Sequence, residues 1–468
     1  MTQNFKISQL VWLFIPLFLT SCFALKQYER PDEPDQNLFR TDQIQDSLTH
    51  TSAEGIPLGE ISWRKVFTDT ILQSYIEQAL EQNLDIRIAI QSIDAAAAYL
   101  KQSKAAFGPA VNGTLNYSHT RNTKSSGMDN VNQYLLSADL SWEADIWGKI
   151  RSQKSATQAA YLQTIEAHRA VKTRLIANLA TLYYQIIALD DQVEIARLSI
   201  ETRKTSLQTT IALMEGGDLT AVAIQQTQAQ VYDAQNILLN LENQRRALEN
   251  AFCLLLSEPA HAIKRNKMDE QIVQTPLTLG VPALLLANRP DVRFAELDLI
   301  QAFHLTNVAR SSFYPSLTIN ASGGFRDTHI QDWLTPDGIF GQIAGGLFQP
   351  ILNRRQIKTE YEVAQTREEQ ALFRYQQALL LAGNEVSDAL NDYQTFTHAI
   401  ALQKLQYEAL DTAVNYSQQL LINGLATYLE VLTAQQNLLT TELNLTNTRF
   451  QRLAAMVQLY EALGGGWR

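Results

Sequence analysis

The chain changes from a helical to an extended pattern twice, once in each half. The two stretches are "AAFGPAVNGTLNYS" (105–118) and "SSFYPSLTINASGGF" (311–325), and each places a phenylalanine two residues before a proline. After each proline, apolar residues alternate with small or polar ones, which is the spacing of a strand. A junction repeated in this way predicts that the chain folds as two copies of one plan.

The first copy is predicted over 63–257. It begins with a helix, continues through a hairpin at 109–144 and a long helix at 149–215, and ends with a helix at 218–256. The long helix contains no proline and is rich in Ala, Gln and Leu, which favour helix. At ~1.5 Å per residue, a helix of this length makes a rod of about 100 Å.

The second copy is predicted over 282–463, after a linker at 258–281. It repeats the order of elements, with a hairpin at 315–350, a long helix at 353–422 and a final helix at 425–463. A tail (464–468) that contains "GGG" follows. The fold class is therefore mainly α, with a smaller β part and an internal twofold repeat.

One face of the second long helix carries an uneven apolar line. Small and aromatic residues recur at heptad-like spacing, but Glu385 and Asp392 interrupt the line. Carboxylates at such positions need water or a partner. Two explanations are open, a water-filled space beside the helix or an ordinary exposed edge.

The returning strand of the first hairpin shows the clearest alternation. Leu136, Ala138, Leu140 and Trp142 alternate with polar residues, after a predicted loop at 119–130. About ten residues of this pattern are typical of a strand that crosses a membrane. A half-buried strand of a soluble sheet has the same pattern, so both explanations remain at this point.

Four strands are too few to close a membrane barrel, because known barrels have at least eight. An open edge in lipid would leave backbone groups unpaired. If the strands cross a membrane, several chains must therefore contribute to one barrel. Two chains would give eight strands and three would give twelve, and counting alone leaves both open.

The N-terminus has the pattern of an export signal. Lys6 precedes a short apolar run that ends in "LTSC", with Cys22 as its last residue. We predict a signal peptide at 1–21, lipidation of Cys22 and an extended lipidated segment at 22–62, while an ordinary signal peptide that contains a cysteine is the alternative. The formal charge of −10 argues against nucleic acid as a partner.

Each long helix is followed by a turn with matching residues. "EGGDLTAVAIQQTQAQ" (215–230) aligns with "INGLATYLEVLTAQQN" (422–437), which places Gly217 over Gly424. A glycine after a helix predicts a left-handed cap, and Thr220 and Thr427 are candidate N-caps of the next helices. Thr427 and Glu430 fit a capping box. Each turn is predicted to reverse the chain between antiparallel helices.

The sequence resembles the TolC/OprM family of outer-membrane efflux lipoproteins, the NodT type. The matches span nearly the whole chain: "YERP" (28–31), "WRKVFTD" (63–69), "LDIRIA" (84–89), "WEADIWGKIR" (142–151), "ANRPDVRFAE" (287–296), "FYPSLTI" (313–319) and "YEALGGGW" (460–467). The resemblance implies a homotrimer with a twelve-stranded outer-membrane barrel and a periplasmic tunnel of long antiparallel helices. Of the two possibilities left open by counting strands, the resemblance therefore favours three chains.

The resemblance also implies partners and a location. Such proteins lie in the bacterial outer membrane, lipid-anchored, and extend into the periplasm. They serve as the exit duct for an inner-membrane pump, here expected to be of the RND type, joined by a periplasmic adaptor. The turns at Gly217, Thr220, Gly424 and Thr427 are the expected adaptor contact. No cofactor or metal is implied.

The resemblance further places a closed aperture on the last helix. Leu429 occupies the position of a hydrophobic constriction, and Thr433 stands where the family often has an acidic residue. This departure argues against an acidic ring in this chain. The alternative is that Leu429 is a core residue between neighbouring helices.

Three classes of function can be compared. A passive export duct accounts for the export signal, the repeat, the strands and the long helices. A periplasmic scaffold would not account for amphipathic strands at both matching places. An enzyme would need a catalytic cluster, and the sequence has no HExxH, phosphate-loop or GxSxG motif. The export duct is therefore the predicted function.

Overall fold

The computed structural model describes residues 25–31, 49–50, 58–124, 127–268, 271, 277–278 and 288–467. The predicted signal peptide and Cys22 lie outside the described residues. The chain divides into two compact units, each drawn from three stretches of sequence. The first unit comprises Met1–Asp32, Gln91–Ile165 and Phe294–Gln376, and the second comprises Glu33–Ile90, Glu166–Arg293 and Gln377–Arg468.

The described residues form eight α-helices. They are α1 Trp63–Val66, α2 Thr70–Gln82, α3 Leu84–Ala105, α4 Lys149–Glu215, α5 Ala221–Leu256, α6 Pro290–Ser311, α7 Gln356–Ile422 and α8 Tyr428–Ala462. The long helices α4 and α7 have 67 residues each, so corresponding positions of the two copies can be paired along their whole length. Within the part of the chain described, no helix is both long enough and apolar enough to cross a membrane.

The strands form one main sheet and one short pair. They are β1 Thr49–His50, β2 Ala110–Lys124, β3 Gly127–Ala144, β4 Leu277–Thr278, β5 Ser316–Asp327 and β6 Ile339–Phe348. The order in the four-stranded sheet is β2-β3-β5-β6, with every pair antiparallel, and β1 pairs with β4 in parallel. The sheet therefore joins the hairpins of both copies side by side.

The predicted loop at 119–130 is wrong for its described residues, because 119–124 and 127–130 belong to the paired strands β2 and β3. His119 pairs with Asn132, and Lys124 pairs with Gly127. The residues beyond the apolar part are polar, but antiparallel pairing depends on backbone hydrogen bonds and not on the apolarity of the side chains. Both strands are therefore longer than the alternation alone indicated.

Each of the two repeated junctions accepts a hydrogen bond from a tryptophan near the end of β3, the returning strand of the first hairpin. The indole Nε1 of Trp142 donates to the carbonyl oxygen of Phe107 over 2.9 Å, and Nε1 of Trp147 donates to that of Pro315 over 2.8 Å. The ring of Trp147 also stacks on Tyr314, with 4.8 Å between centroids. Each helix-to-strand junction is thus fixed by a tryptophan from the end of β3 or just beyond it.

In the second unit, described residues form an apolar core built from α1, α2 and parts of α4, α5, α7 and α8. At its edge, the carboxylate of Asp69 caps α2 by accepting from the amides of Ile71 and Leu72. The same carboxylate accepts from the Tyr183 hydroxyl over 2.8 Å and from the Asn266 amide over 3.1 Å. Asn266 follows α5, so this buried carboxylate attaches the start of the connection between the copies to the core.

Candidate functional site

The turns after the two long helices have the same backbone conformation. Gly217 has a φ of +89° and Gly424 a φ of +71°. In the first turn the amide of Asp218 donates to the Leu213 carbonyl over 2.9 Å, and in the second that of Leu425 donates to the Leu420 carbonyl over 2.8 Å. These bonds satisfy carbonyls that the helix end leaves free, which is the Schellman arrangement.

The helices that leave the turns begin differently. Thr220 and Thr427 both occupy the N-cap position with extended backbone, but the Thr220 side chain makes no capping hydrogen bond. At the second turn, Oε1 of Glu430 accepts from the Thr427 hydroxyl over 3.2 Å and lies 3.5 Å from the Thr427 amide nitrogen. The position of Glu430 corresponds to Ala223 in the first copy, which has no polar side chain to do the same.

The start of α8 presents one face to solvent and the other to its own chain. Leu429 is 56% exposed, and Thr433 one turn later is also exposed. Val431 and Leu432 are buried on the opposite side. The Thr433 hydroxyl donates to the carbonyl oxygen of Leu429 over 2.8 Å, a local bond within the helix. The structure therefore brings Leu429 and Thr433 together on one exposed face.

Polar side chains connect α8 to the first pair of helices. The Tyr428 hydroxyl donates to Oε1 of Gln226 over 2.7 Å, and the Gln435 amide donates to the Ser206 hydroxyl over 2.7 Å. These two bonds attach α8 to α5 and α4 respectively. The start of α8 is therefore fixed by hydrogen bonds between neutral groups.

Arg203 on α4 is the centre of this polar contact, and the sequence reasoning missed it. It is 1% exposed; its Nη1 donates to the Gln230 carbonyl over 2.9 Å, and its Nη2 donates to Oε1 of Gln436 over 2.7 Å. Burial lowers the pKa of the guanidinium. In the sequence Arg203 is followed by Lys204, which pairs with Glu201 at the surface, and no pattern distinguishes the buried cation from the exposed one.

One group of side chains has the composition of a metal site. Ligand atoms of Asp327, His329 and Asp332 lie within 4.8 Å of one another in the connection between β5 and β6. Asp332 and His329 are exposed, and groups of this kind are common at surfaces that bind no ion. The cluster by itself assigns no function.

Comparison with known proteins defines the class of this chain. The model of the outer membrane efflux protein family matches residues 75–257 and 281–465, one segment for each copy of the repeat. The chain belongs to this family. It is therefore an outer-membrane component of an efflux system, as the sequence predicted.

Individual relatives cover almost the whole chain. The cation efflux system protein CusC of Escherichia coli is 25% identical over 455 residues, which are 97% of this chain and 98% of that protein. The solvent efflux pump outer membrane protein SrpC of Pseudomonas putida is 27% identical over 463 residues, 97% of each chain. The two relatives are about equally similar to this chain, although their names refer to the export of different substances, cations and solvents.

A solved structure has the same fold. The outer-membrane channel OprN superposes with a TM-score of 0.85 at 22% identity, covering 95% of this chain and 99% of that one. The structural neighbours are trimeric efflux channels, and the main sheet of this chain has four strands. The predicted fold class, a trimeric duct with a twelve-stranded barrel and long antiparallel helices, is confirmed.

Proposed function

We propose that three copies of this chain form a passive exit duct for small toxic compounds. An inner-membrane pump of the RND type, joined by a periplasmic adaptor, supplies these compounds. Family membership supports the duct. So does the four-stranded sheet, in which β2 and β6 each pair on one side only among the described strands. The proposal includes no catalytic step and no cofactor.

The proposed aperture lies at Leu429. The observation that carries this proposal is that the Leu429 side chain is 56% exposed, while the opposite face of the same helix is buried. This exposure argues against the alternative that Leu429 is a core residue within its own chain. Three such leucines meeting at the trimer axis would exclude water and close the duct by dewetting. Thr433 adds no charge to this ring, so closure requires no divalent ion.

Conductance of the purified trimer in planar bilayers tests this proposal. Replacing Leu429 with Ala removes the larger part of the apolar side chain, so we expect a higher single-channel conductance and more frequent opening. Val222→Ala is the matched control, because Val222 is the corresponding residue of the first copy and is 59% exposed. Unchanged conductance of Leu429→Ala in folded trimers would place the closure elsewhere.

The same turns are the proposed contact for the adaptor. Close in sequence to Gly217 and Gly424, the apolar side chains of Val222, Ile422 and Leu425 are exposed, and exposed apolar surface is a feature of interaction sites. We expect Leu425→Asp to reduce co-purification of the adaptor while trimers still form. Equal recovery of the adaptor with the variant would argue against this contact.

Cys22 is the proposed lipid site, on the basis of the sequence alone. Replacing Cys22 with Ser should abolish the incorporation of radioactive palmitate. Trimers should still form, because the sheet of each chain does not depend on the acyl chains. Palmitate retained by the Cys22→Ser protein would exclude this residue as the site.

A further inference from the structure

The four-stranded sheet has an apolar face and a polar face, and the polar face carries a carboxylate on its second strand. Leu115 and Ile343 lie on the apolar face and are 72% and 81% exposed. In a membrane barrel the apolar face contacts lipid, so the other face lines the duct. Asp139 of β3 lies on this polar face, because its cross-strand partners Asn112 and Ser322 do not share the side of Leu115 and Ile343.

A row of polar residues crosses all four strands at the level of Asp139. Its members are neighbours in the order Asn112, Asp139, Ser322 and Gln342, with one residue from each strand. Asp139 is the charged member of this row. The threefold symmetry of the trimer places the three copies of Asp139 at one level of the duct.

Three hydroxyl groups hold the Asp139 carboxylate in place. Its Oδ2 accepts from the hydroxyls of Thr114 over 2.9 Å and Ser137 over 3.0 Å. Its Oδ1 accepts from the hydroxyl of Ser322 over 2.7 Å. An ionised carboxylate can accept about four hydrogen bonds, so one position stays open. The carboxylate is therefore fixed on the polar face and still able to accept from a passing group.

The charge of Asp139 is not compensated by these contacts, because all three donors are neutral. Among the side chains that the structure describes, no cation forms an ion pair with it. Glu143 lies on the same face four residues later along β3 and provides a contrast. Its Oε1 is 3.0 Å from Nζ of Lys149, so its charge is compensated. The charge of Asp139 is therefore the one available to ions in the duct.

A positive charge on the polar face lies at a different level. Arg326 of β5 pairs with Leu135, and its Cζ lies 4.3 Å from the centroid of the Phe340 ring. Four residues along β5 separate Arg326 from Ser322, which is about 13 Å at the rise of a strand. This separation exceeds the Debye length of about 8 Å at physiological ionic strength. Passing ions therefore meet the two charges one after the other.

Joining the strands does not by itself require a charge at position 139. The hydroxyls of Thr114, Ser137 and Ser322 can donate or accept, so a neutral amide in place of the carboxylate could also bond to them. What distinguishes Asp139 is the negative charge that it adds to the row. A charge effect and a structural effect of this residue can therefore be measured separately.

We propose that Asp139 determines the charge preference of the duct, so that cations pass its level more readily than anions of the same size. Rings of aspartate select cations because they raise the local concentration of the opposite charge. The inference rests on the proposed duct and adds to it the class of compound that the barrel favours. Neither Leu429 nor Thr433 of the proposed aperture carries a charge that would do the same.

Reversal potentials of purified trimers in planar bilayers, measured across a potassium chloride gradient, test this inference. We expect the wild type to conduct potassium more readily than chloride in dilute salt. Near 1 M salt this preference should fade, because the Debye length is then about 3 Å. Asp139→Asn should lower the ratio of potassium to chloride permeability about threefold, since it removes the charge and keeps the size of the side chain.

Two controls separate the charge from the structure. Ser322→Ala removes one of the three donors but no charge, so its permeability ratio should stay close to that of the wild type. Asp337→Asn removes an exposed carboxylate from the connection between β5 and β6 and should also leave the ratio unchanged.

The outcomes distinguish this inference from the duct itself. Trimers that conduct without any cation preference in dilute salt would overturn the inference and leave the duct in place. Equal reversal potentials of the wild type and Asp139→Asn would do the same. Trimers that never conduct would overturn the duct and, with it, the role of Asp139.

Discussion

The turns at Gly217 and Gly424 share a backbone but differ in what their side chains do. In both, an exposed apolar residue stands at the matching position, Val222 in the first copy and Leu429 in the second. One helical turn later, Gln226 accepts a hydrogen bond from Tyr428 on α8, whereas Thr433 donates only to its own helix.

This difference between Gln226 and Thr433 gives the two copies of the repeat different roles in our account. The polar position of the first copy fixes α8, and the polar position of the second leaves its face free. The long helices differ at corresponding positions as well. Arg203 of α4 donates to the Gln436 side chain of α8, whereas the corresponding Leu410 of α7 has no hydrogen-bond donor in its side chain. We infer that the first copy supports the turns and that the second provides the proposed constriction.

The largest effect is expected from removing the buried cation of the first copy. Arg203→Ala should destabilise the protein by about 3 kcal/mol, because it removes a buried side chain and leaves the part-buried oxygens of Gln230 and Gln436 without this donor. Thermal unfolding of the trimer measures this effect. Lys204→Ala is the control, and we expect it to change stability by less than about 0.5 kcal/mol, because its ion pair is exposed.

The glycines at the turns should give smaller and equal effects. Gly217→Ala and Gly424→Ala should each cost about 1–2 kcal/mol, because an alanine at positive φ is strained. No atom would lie within 4 Å of the added Cβ in either turn, so the cost comes from the backbone alone. Gly216→Ala, without a positive φ, serves as the control. A large difference between the two turns would show that their backbones are not equivalent.

Loss of the bond between the copies should be smaller again. Tyr428→Phe removes one exposed hydrogen bond to Gln226 and should lower stability by about 0.5–1 kcal/mol. Because this bond fixes the start of α8, we also expect more frequent channel opening in bilayers. Tyr416→Phe changes an exposed tyrosine of α7 and should leave both measurements unchanged.

The smallest effect separates the two N-caps. Thr427→Ala should lower the free energy of unfolding by about 0.5 kcal/mol, because it removes the hydroxyl that donates to Glu430. A slightly lower melting temperature would show this effect. Thr220→Ala should have no measurable effect, since its side chain makes no capping bond. An equal loss in both variants would contradict the observed difference.

The turns and the repeat could be predicted because local chemistry determines them. A glycine that ends a long helix has few alternatives to the left-handed cap, and Gly217 and Gly424 adopt it. Strand ends were less predictable. Residues 119–124 and 127–130 continue the hairpin because their backbone groups find partners across it, and a pattern of side chains does not report this.

The side-chain contacts between helices could not be predicted. Arg203 meets Gln436 only when helices distant in sequence are packed together. Glu385 and Asp392 line a space of about 380 Å³ whose other walls come from α4, α6 and α8, so the sequence alone could offer this space only as one of two explanations. Contacts of this kind depend on the tertiary arrangement, which periodicity does not specify.

Cross-linking between copies tests the central claim, that the second copy forms the constriction. Leu429→Cys and Val222→Cys place a thiol at matching exposed positions, and the native Cys253 is buried. With a short bis-maleimide, we predict covalent joining of chains in trimers of Leu429→Cys and none in Val222→Cys. Cross-linking at position 222 without cross-linking at position 429 would contradict this account.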